Sequence, residues 1–235
     1  MKNTLLSAAS FLMSASVMAD NPIFQTDFTA DPAPVVIGDT VFVFTSHDED
    51  GVDYFTMNEW RVFSTVDMVN WTDRGAPIQN SDFKWADRDA AWASQMIERD
   101  GKYYFYVTST SNGPRVIGVG VADHPAGPYK DAIGKPLAGP NWNYIDPTVF
   151  IDDNGQAYAY WGNPKLYWCK LNKDMVTIDG RINETNLTAE SNYKYTEGPW
   201  ISKRNDIYYM IYASHGEPEK ISYATSNSPE GPWTF

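Results

Sequence analysis

The chain is short of cysteine, histidine and positive charge. Its 235 residues hold one cysteine, Cys169, and three histidines, His47, His124 and His215. A single cysteine excludes an internal disulfide framework and a cysteine-rich zinc site. Lys and Arg number 18 against 30 Asp and Glu, for a formal net charge of -12. That balance supplies no basic face for a phosphate backbone, so nucleic acid is not an expected partner. No Gly-rich phosphate loop and no metal-ligand spacing occurs. Beyond the N-terminal stretch no run of 18 apolar residues occurs, so no membrane partner is expected either. Helical periodicity is missing from every long segment.

The N-terminus reads as an address. Lys2 gives a positive start, and Leu5 to Met18 is apolar and uncharged. Val17-Met18-Ala19 places small or aliphatic residues at the -3 and -1 positions of a signal-peptidase site. A signal peptide over residues 1–19, cleaved after Ala19, is therefore expected, with a secreted or periplasmic product. Residues 20–235 would then make up the folded part.

Aromatic residues are plentiful, at 15% of the chain, and they cluster in four similar segments. These are Val41-Phe42-Val43-Phe44-Thr45-Ser46, Tyr104-Phe105-Tyr106-Val107-Thr108-Ser109, Ala157-Tyr158-Ala159-Tyr160-Trp161-Gly162 and Tyr209-Met210-Ile211-Tyr212-Ala213-Ser214. Aromatic and β-branched residues suit strands. A turn signal precedes each segment, as in Gly38-Asp39 and Asp100-Gly101, so each reads as the second strand of a hairpin. The segments end at 46, 109, 162 and 214, a mean spacing of about 56. Other landmarks keep the period: Pro125-Ala126-Gly127-Pro128-Tyr129 returns as Pro229-Glu230-Gly231-Pro232-Trp233, and Asp67-Met68-Val69 as Asp174-Met175-Val176. A repeat of that length built of strands and turns predicts an all-β fold, a β-propeller with four-stranded blades. A β-sandwich would not explain fixed internal landmarks. About four blades fit the chain, as a four-bladed ring or as part of a five-bladed one.

The carboxylates fall on the repeat. Asp31-Pro32, Asp146-Pro147 and Glu197-Gly198-Pro199 occupy equivalent places, 15 to 17 residues before the segment ends. The second repeat has Trp92-Ala93-Ser94 there. The first strand of each blade lines a propeller's central channel, so these positions face one another across the axis. Proline is tolerated on an unpaired inner edge, and it is expected to hold the preceding aspartate extended. Three converging carboxylates repel one another, a cost that function or a cation must justify. Two carboxyl groups across a cleft suffice to break a glycosidic bond, one as protonated acid and one ionised. A third anion raises the acid's pKa. Trp92 can stack on a sugar ring. Of the histidines, His47 is the one best placed to touch substrate.

Ala30-Asp31-Pro32-Ala33-Pro34, Ala91-Trp92-Ala93, Ile145-Asp146-Pro147-Thr148 and Tyr195-Thr196-Glu197-Gly198-Pro199 together resemble the motifs of glycoside hydrolase family 43. Asp67-Met68-Val69-Asn70-Trp71 and Asp152-Asp153-Asn154-Gly155 are similar to that family too. The resemblance implies a β-propeller of the five-bladed type whose fifth blade is absent from this chain. It implies inverting hydrolysis of xylosidic or arabinofuranosidic bonds, with an oligo- or polysaccharide as partner. In that scheme Asp31 is the general base, Glu197 the general acid, and Asp146 raises and orients the acid. Trp92 forms part of the sugar-binding wall. No cofactor is expected for the chemistry. A structural calcium in the channel is implied, with its histidine ligand in the missing blade. A fragment of this kind is expected to be inactive or poorly folded, because an open ring exposes blade edges. Two rivals are a carbohydrate-binding scaffold and a retaining fructan or sucrose hydrolase. The retaining enzymes usually read Asn-Asp-Pro-Asn where this chain has Ala30-Asp31-Pro32-Ala33.

Overall fold

A computed structural model describes residues 23–185, 187–188 and 193–235. The expected leader lies outside the described residues. The chain forms four antiparallel sheets in sequence order, joined as the blades of a propeller. The first blade is β1 (Thr29–Ile37), β2 (Thr40–Asp48), β3 (Met57–Thr65) and β4 (Thr72–Asp73). The second is β5 (Trp92–Arg99), β6 (Lys102–Thr110), β7 (Arg115–Ala122) and β8 (Lys130–Asp131). The third is β9 (Thr148–Ile151), β10 (Ala157–Trp161), β11 (Leu166–Leu171) and β12 (Ile178–Thr185). The fourth is β14 (Tyr195–Arg204), β15 (Ile207–Ser214), β16 (Lys220–Ser226) and β17 (Trp233–Thr234), with β13 (Leu187–Thr188) added in parallel to β17. Each aromatic segment is the second strand of its blade, and the inner strands pack in the order β1, β5, β9, β14.

The two recurring motifs do the same job in alternate blades, linking the third strand to the fourth. In the first and third blades the linker is an aspartate turn. Asp67 Oδ1 accepts from the Val69 and Asn70 amides, and Asp174 Oδ1 from those of Val176 and Thr177. In the second and fourth blades the Pro-x-Gly-Pro-aromatic turn buries Tyr129 and Trp233.

Three apolar cores fill the three seams between neighbouring blades. Phe44, Trp60 and Phe105 lie in the first seam, Tyr106, Trp161 and Cys169 in the second, and Tyr160, Tyr212 and Trp233 in the third. Successive residues of a strand point to opposite faces. Phe105 and Tyr106 therefore enter different seams, as do Tyr160 and Trp161. A blade covered on both faces needs apolar residues at every position, which is why these segments read as continuous runs. The fourth blade departs from this. Tyr208, Met210 and Tyr212 are buried, but Ile211, Ile221 and Tyr223 on the other face are exposed, Ile221 by 86%. On the first blade, Phe24 stacks on Phe63 at 3.8 Å and meets Trp71 edge-on. Cys169 is buried in β11, where desolvation pushes its thiol up to about 12.

Candidate active site

The inner strands are irregular where the phased motifs lie. Pairing of β1 with β2 slips between Ala30 and Ala33, and β5 with β6 between Trp92 and Ser94. In β14 the register shifts on both sides of Glu197. Such bulges bend a strand and re-aim a side chain. The backbone also departs from expectation: Asp31, at the β1 bulge, and Asp146, just ahead of β9, are not extended but take φ of 51° and 60°. Aspartate tolerates this left-handed region better than most residues. Tertiary bonds to the two carboxylates outweigh the local preference set by the prolines.

The structure brings Asp31, Trp92, Asp146 and Glu197 to one pocket of about 510 Å³. That volume is in the range of small-ligand sites. Ser46 Oγ donates to Asp31 Oδ2 at 3.1 Å, leaving the other oxygen to face a ligand. Asp146 Oδ2 accepts from the Gly198 amide at 3.0 Å, and the Asp146 amide donates to Thr108 Oγ1 at 2.9 Å. Asn163 Nδ2 donates to Glu197 Oε2 at 2.6 Å, and Oε1 accepts no hydrogen bond from the described residues. Trp92 is fixed by its indole N–H, which donates to the Phe55 carbonyl at 2.9 Å.

Gly162 joins the two acidic strands. Its amide donates to the Ile145 carbonyl at 2.7 Å, and its carbonyl accepts from the Tyr195 hydroxyl at 2.5 Å. Only glycine fits: its φ is 132°, and a Cβ would lie 1.8 Å from the Lys165 carbonyl oxygen. Each neighbour leads to a carboxylate, Ile145 to Asp146 and Tyr195 to Glu197.

Charge crowding acts on the carboxyls. Burial raises the Asp31 carboxyl; the Ser46 hydroxyl opposes this, and the Glu197 and Asp48 charges add to it. Asp146 is pushed up to about 7, first by desolvation and then by Glu197 and Asp31. The Gly198 amide and Arg115 pull it back down. Burial and repulsion by its two neighbours thus favour the neutral form of Asp146 up to about neutrality.

His47 does not line this pocket. It sits in β2 opposite Thr29, and its Nδ1 lies 3.4 Å from Glu59 Oε1. Sequence reasoning missed Asn163 and Arg115, as well as Tyr54 and Phe55, which line the pocket mouth and are 69% and 65% exposed. A signal for Asn163 was present, since it follows the end of the third aromatic segment by one residue, as His47 follows the first. A channel calcium would need 6 to 8 oxygen donors, carboxylates among them. Among the described residues no group of three or more His, Cys, Asp or Glu is placed to hold an ion. The buried, unpartnered hydroxyls of Ser94 and Thr148 are neutral and too few.

Residues 19–235 match the family model described as glycosyl hydrolases family 43. An arabinoxylan arabinofuranohydrolase of Bacillus subtilis (strain 168) is 30% identical over 97% of this chain. The chain spans only 53% of that relative's length. A β-xylosidase of Xylanibacter ruminicola is 29% identical, over 91% of this chain and 80% of the relative. Among solved structures, a GH43 β-xylosidase/α-arabinofuranosidase from a compost microbial metagenome, in complex with xylotriose, superposes with a TM-score of 0.82. It is 28% identical, and the alignment covers 89% of this chain and 77% of that one. With the sequence match, the four blades and the carboxylate pocket in agreement, the chain belongs to glycosyl hydrolases family 43.

Proposed function

We propose that this chain carries the catalytic pocket of an O-glycosyl hydrolase that cleaves xylosidic or arabinofuranosidic bonds of plant hemicellulose, with inversion at the anomeric carbon. The convergence of Asp31, Asp146 and Glu197 from three different blades on one pocket supports this reading best. Asp31 acts as the base: its free oxygen takes a proton from water, which attacks the anomeric carbon. Glu197 acts as the acid, its Oε1 proton passing to the leaving oxygen as the glycosidic bond breaks. Asp146 holds the Gly198 amide and so fixes the backbone beside Glu197. Its negative charge, when present, favours the protonated acid. Trp92 supplies the apolar face for the sugar ring. The leader makes the product an exported one, which N-terminal sequencing of secreted protein checks.

The test is turnover by Glu197→Gln and Asp31→Asn. Each should lose about 10²–10⁴-fold on an unactivated xylo- or arabino-oligosaccharide while keeping its fold. Near wild-type turnover in either variant would remove that residue from its role.

A further inference from the structure

Arg115 is the one cation among the described residues that line the carboxylate pocket. It opens β7 and belongs to none of the phased motifs. Three contacts define its place. Its guanidinium carbon lies 5.7 Å from the centroid of the Trp92 ring. Its Nη1 donates to the Trp142 carbonyl at 2.7 Å. Its own carbonyl accepts from the Asn141 amide at 2.9 Å. Arg115 thus grips the segment 141–143 with both side chain and main chain.

That segment leads straight into the catalytic groups. The Asn143 carbonyl accepts from the Asn163 amide at 3.0 Å, and Asn163 in turn holds Glu197. Two residues further on, Ile145 is held by Gly162, and Asp146 follows. One side chain therefore touches the sugar wall and also anchors the chain that presents two carboxylates.

We propose that Arg115 is a positioning residue of the sugar pocket. It sets the plane of the Trp92 ring, holds segment 141–146 in register with Asn163 and Glu197, and places a positive charge on the Asp146 side of the pocket. The inference deepens the glycosidase reading and rests on it for the nature of the ligand. A guanidinium suits both tasks, since its flat face stacks on an indole while its N–H groups donate in the plane. Lysine keeps the charge but can do neither in the same way.

The experiment compares Arg115→Met and Arg115→Lys with the wild-type full chain, using three readouts. Xylotriose binding by calorimetry should weaken about tenfold or more in Arg115→Met, and several-fold in Arg115→Lys. Carbon-detected NMR follows the Asp146 carboxyl, assigned through Asp146→Asn. Its midpoint should rise in Arg115→Met and stay near wild type in Arg115→Lys, because only the former loses the cation. The other groups facing Asp146 are Glu197, Asp31 and Tyr195, and both variants leave them in place. Amide exchange at Asn143 and Tyr144 should quicken in both variants. An unchanged midpoint and unchanged exchange in Arg115→Met would overturn the proposal. So would equal midpoint shifts in both variants, which mark general loosening rather than lost charge. Should Arg115→Met fail to fold, Arg115→Lys decides: wild-type affinity and wild-type exchange there overturn the proposal. A wild type that binds no xylotriose counts against the sugar assignment, while titration and exchange still decide the role of Arg115.

Discussion

Replacing Asn163 with alanine isolates the orientation of the acid from its chemistry. Asn163 Nδ2 lies 2.6 Å from Glu197 Oε2, and it is the only side-chain hydrogen bond seen on that carboxylate among the described residues. The main-chain link from the Asn163 amide to Asn143 survives the change, so segment 141–146 keeps its anchor. Glu197 becomes a carboxylate as its proton leaves, and a hydrogen bond to a charged group is worth about 1.5–3 kcal/mol net. With roughly 1.4 kcal/mol per tenfold, that is about a 10- to 150-fold loss in rate. The loss should depend on the leaving group. An oligosaccharide leaves as an alcohol by taking the proton from Glu197, the unprotonated alkoxide being a poor leaving group; a dinitrophenolate leaves without one. Steady-state kinetics on both substrates should show the full loss in kcat on the oligosaccharide and less than about threefold on the aryl glycoside. Equal losses on both would refute the reasoning, because they would place the effect in binding or folding. No loss on either would show that Asn163 does not aim Glu197.

Two further changes test the fold and the cost of the site. Phe105 is fully buried between Phe44, Trp60 and Tyr129, with ring centroids 5.0, 5.7 and 5.4 Å away. Phe105→Ala should destabilise by about 3–5 kcal/mol in urea unfolding, and a cost below about 1 kcal/mol would contradict the seam described for the first two blades. Asp146 has a folded-state pKa raised to about 7, so it favours the fold below about pH 4 and penalises it as pH rises toward 7. Asp146→Asn should therefore melt several degrees higher than wild type at pH 7, with the difference vanishing at pH 4, even as activity falls. A lower melting temperature at pH 7 would show that the carboxylate supports the fold rather than straining it.

The strands and the phased motifs were legible because a propeller repeats its constraints. Each blade needs an apolar second strand between two seams and an irregular inner strand at the channel. Asp31, Trp92, Asp146 and Glu197 therefore share a phase in the sequence itself. The conformation of the two aspartates was not legible. A rule about one dipeptide predicts extended backbone before proline, but bulges and the bonds from Ser46 and Gly198 decide the outcome. His47 and Asn163 share a phase yet behave differently, and strand length explains why. β2 runs on to Asp48 and keeps His47 in the ladder, whereas β10 stops at Trp161 and frees Asn163 to reach Glu197. Arg115 escaped notice because it belongs to a third strand, for which no phased landmark existed. Its value lies in contacts 27 residues away at Trp142, which no local pattern reports.

The central claim is that Asp31 and Glu197 act as base and acid in a single displacement at the anomeric carbon. Proton NMR of the first-formed sugar, followed through the early minutes of hydrolysis, tests it most directly. The first anomer released should have the configuration opposite to the substrate bond and only later equilibrate. A first product with the substrate's own configuration would contradict it, because retention requires a covalent intermediate on one of the two carboxylates.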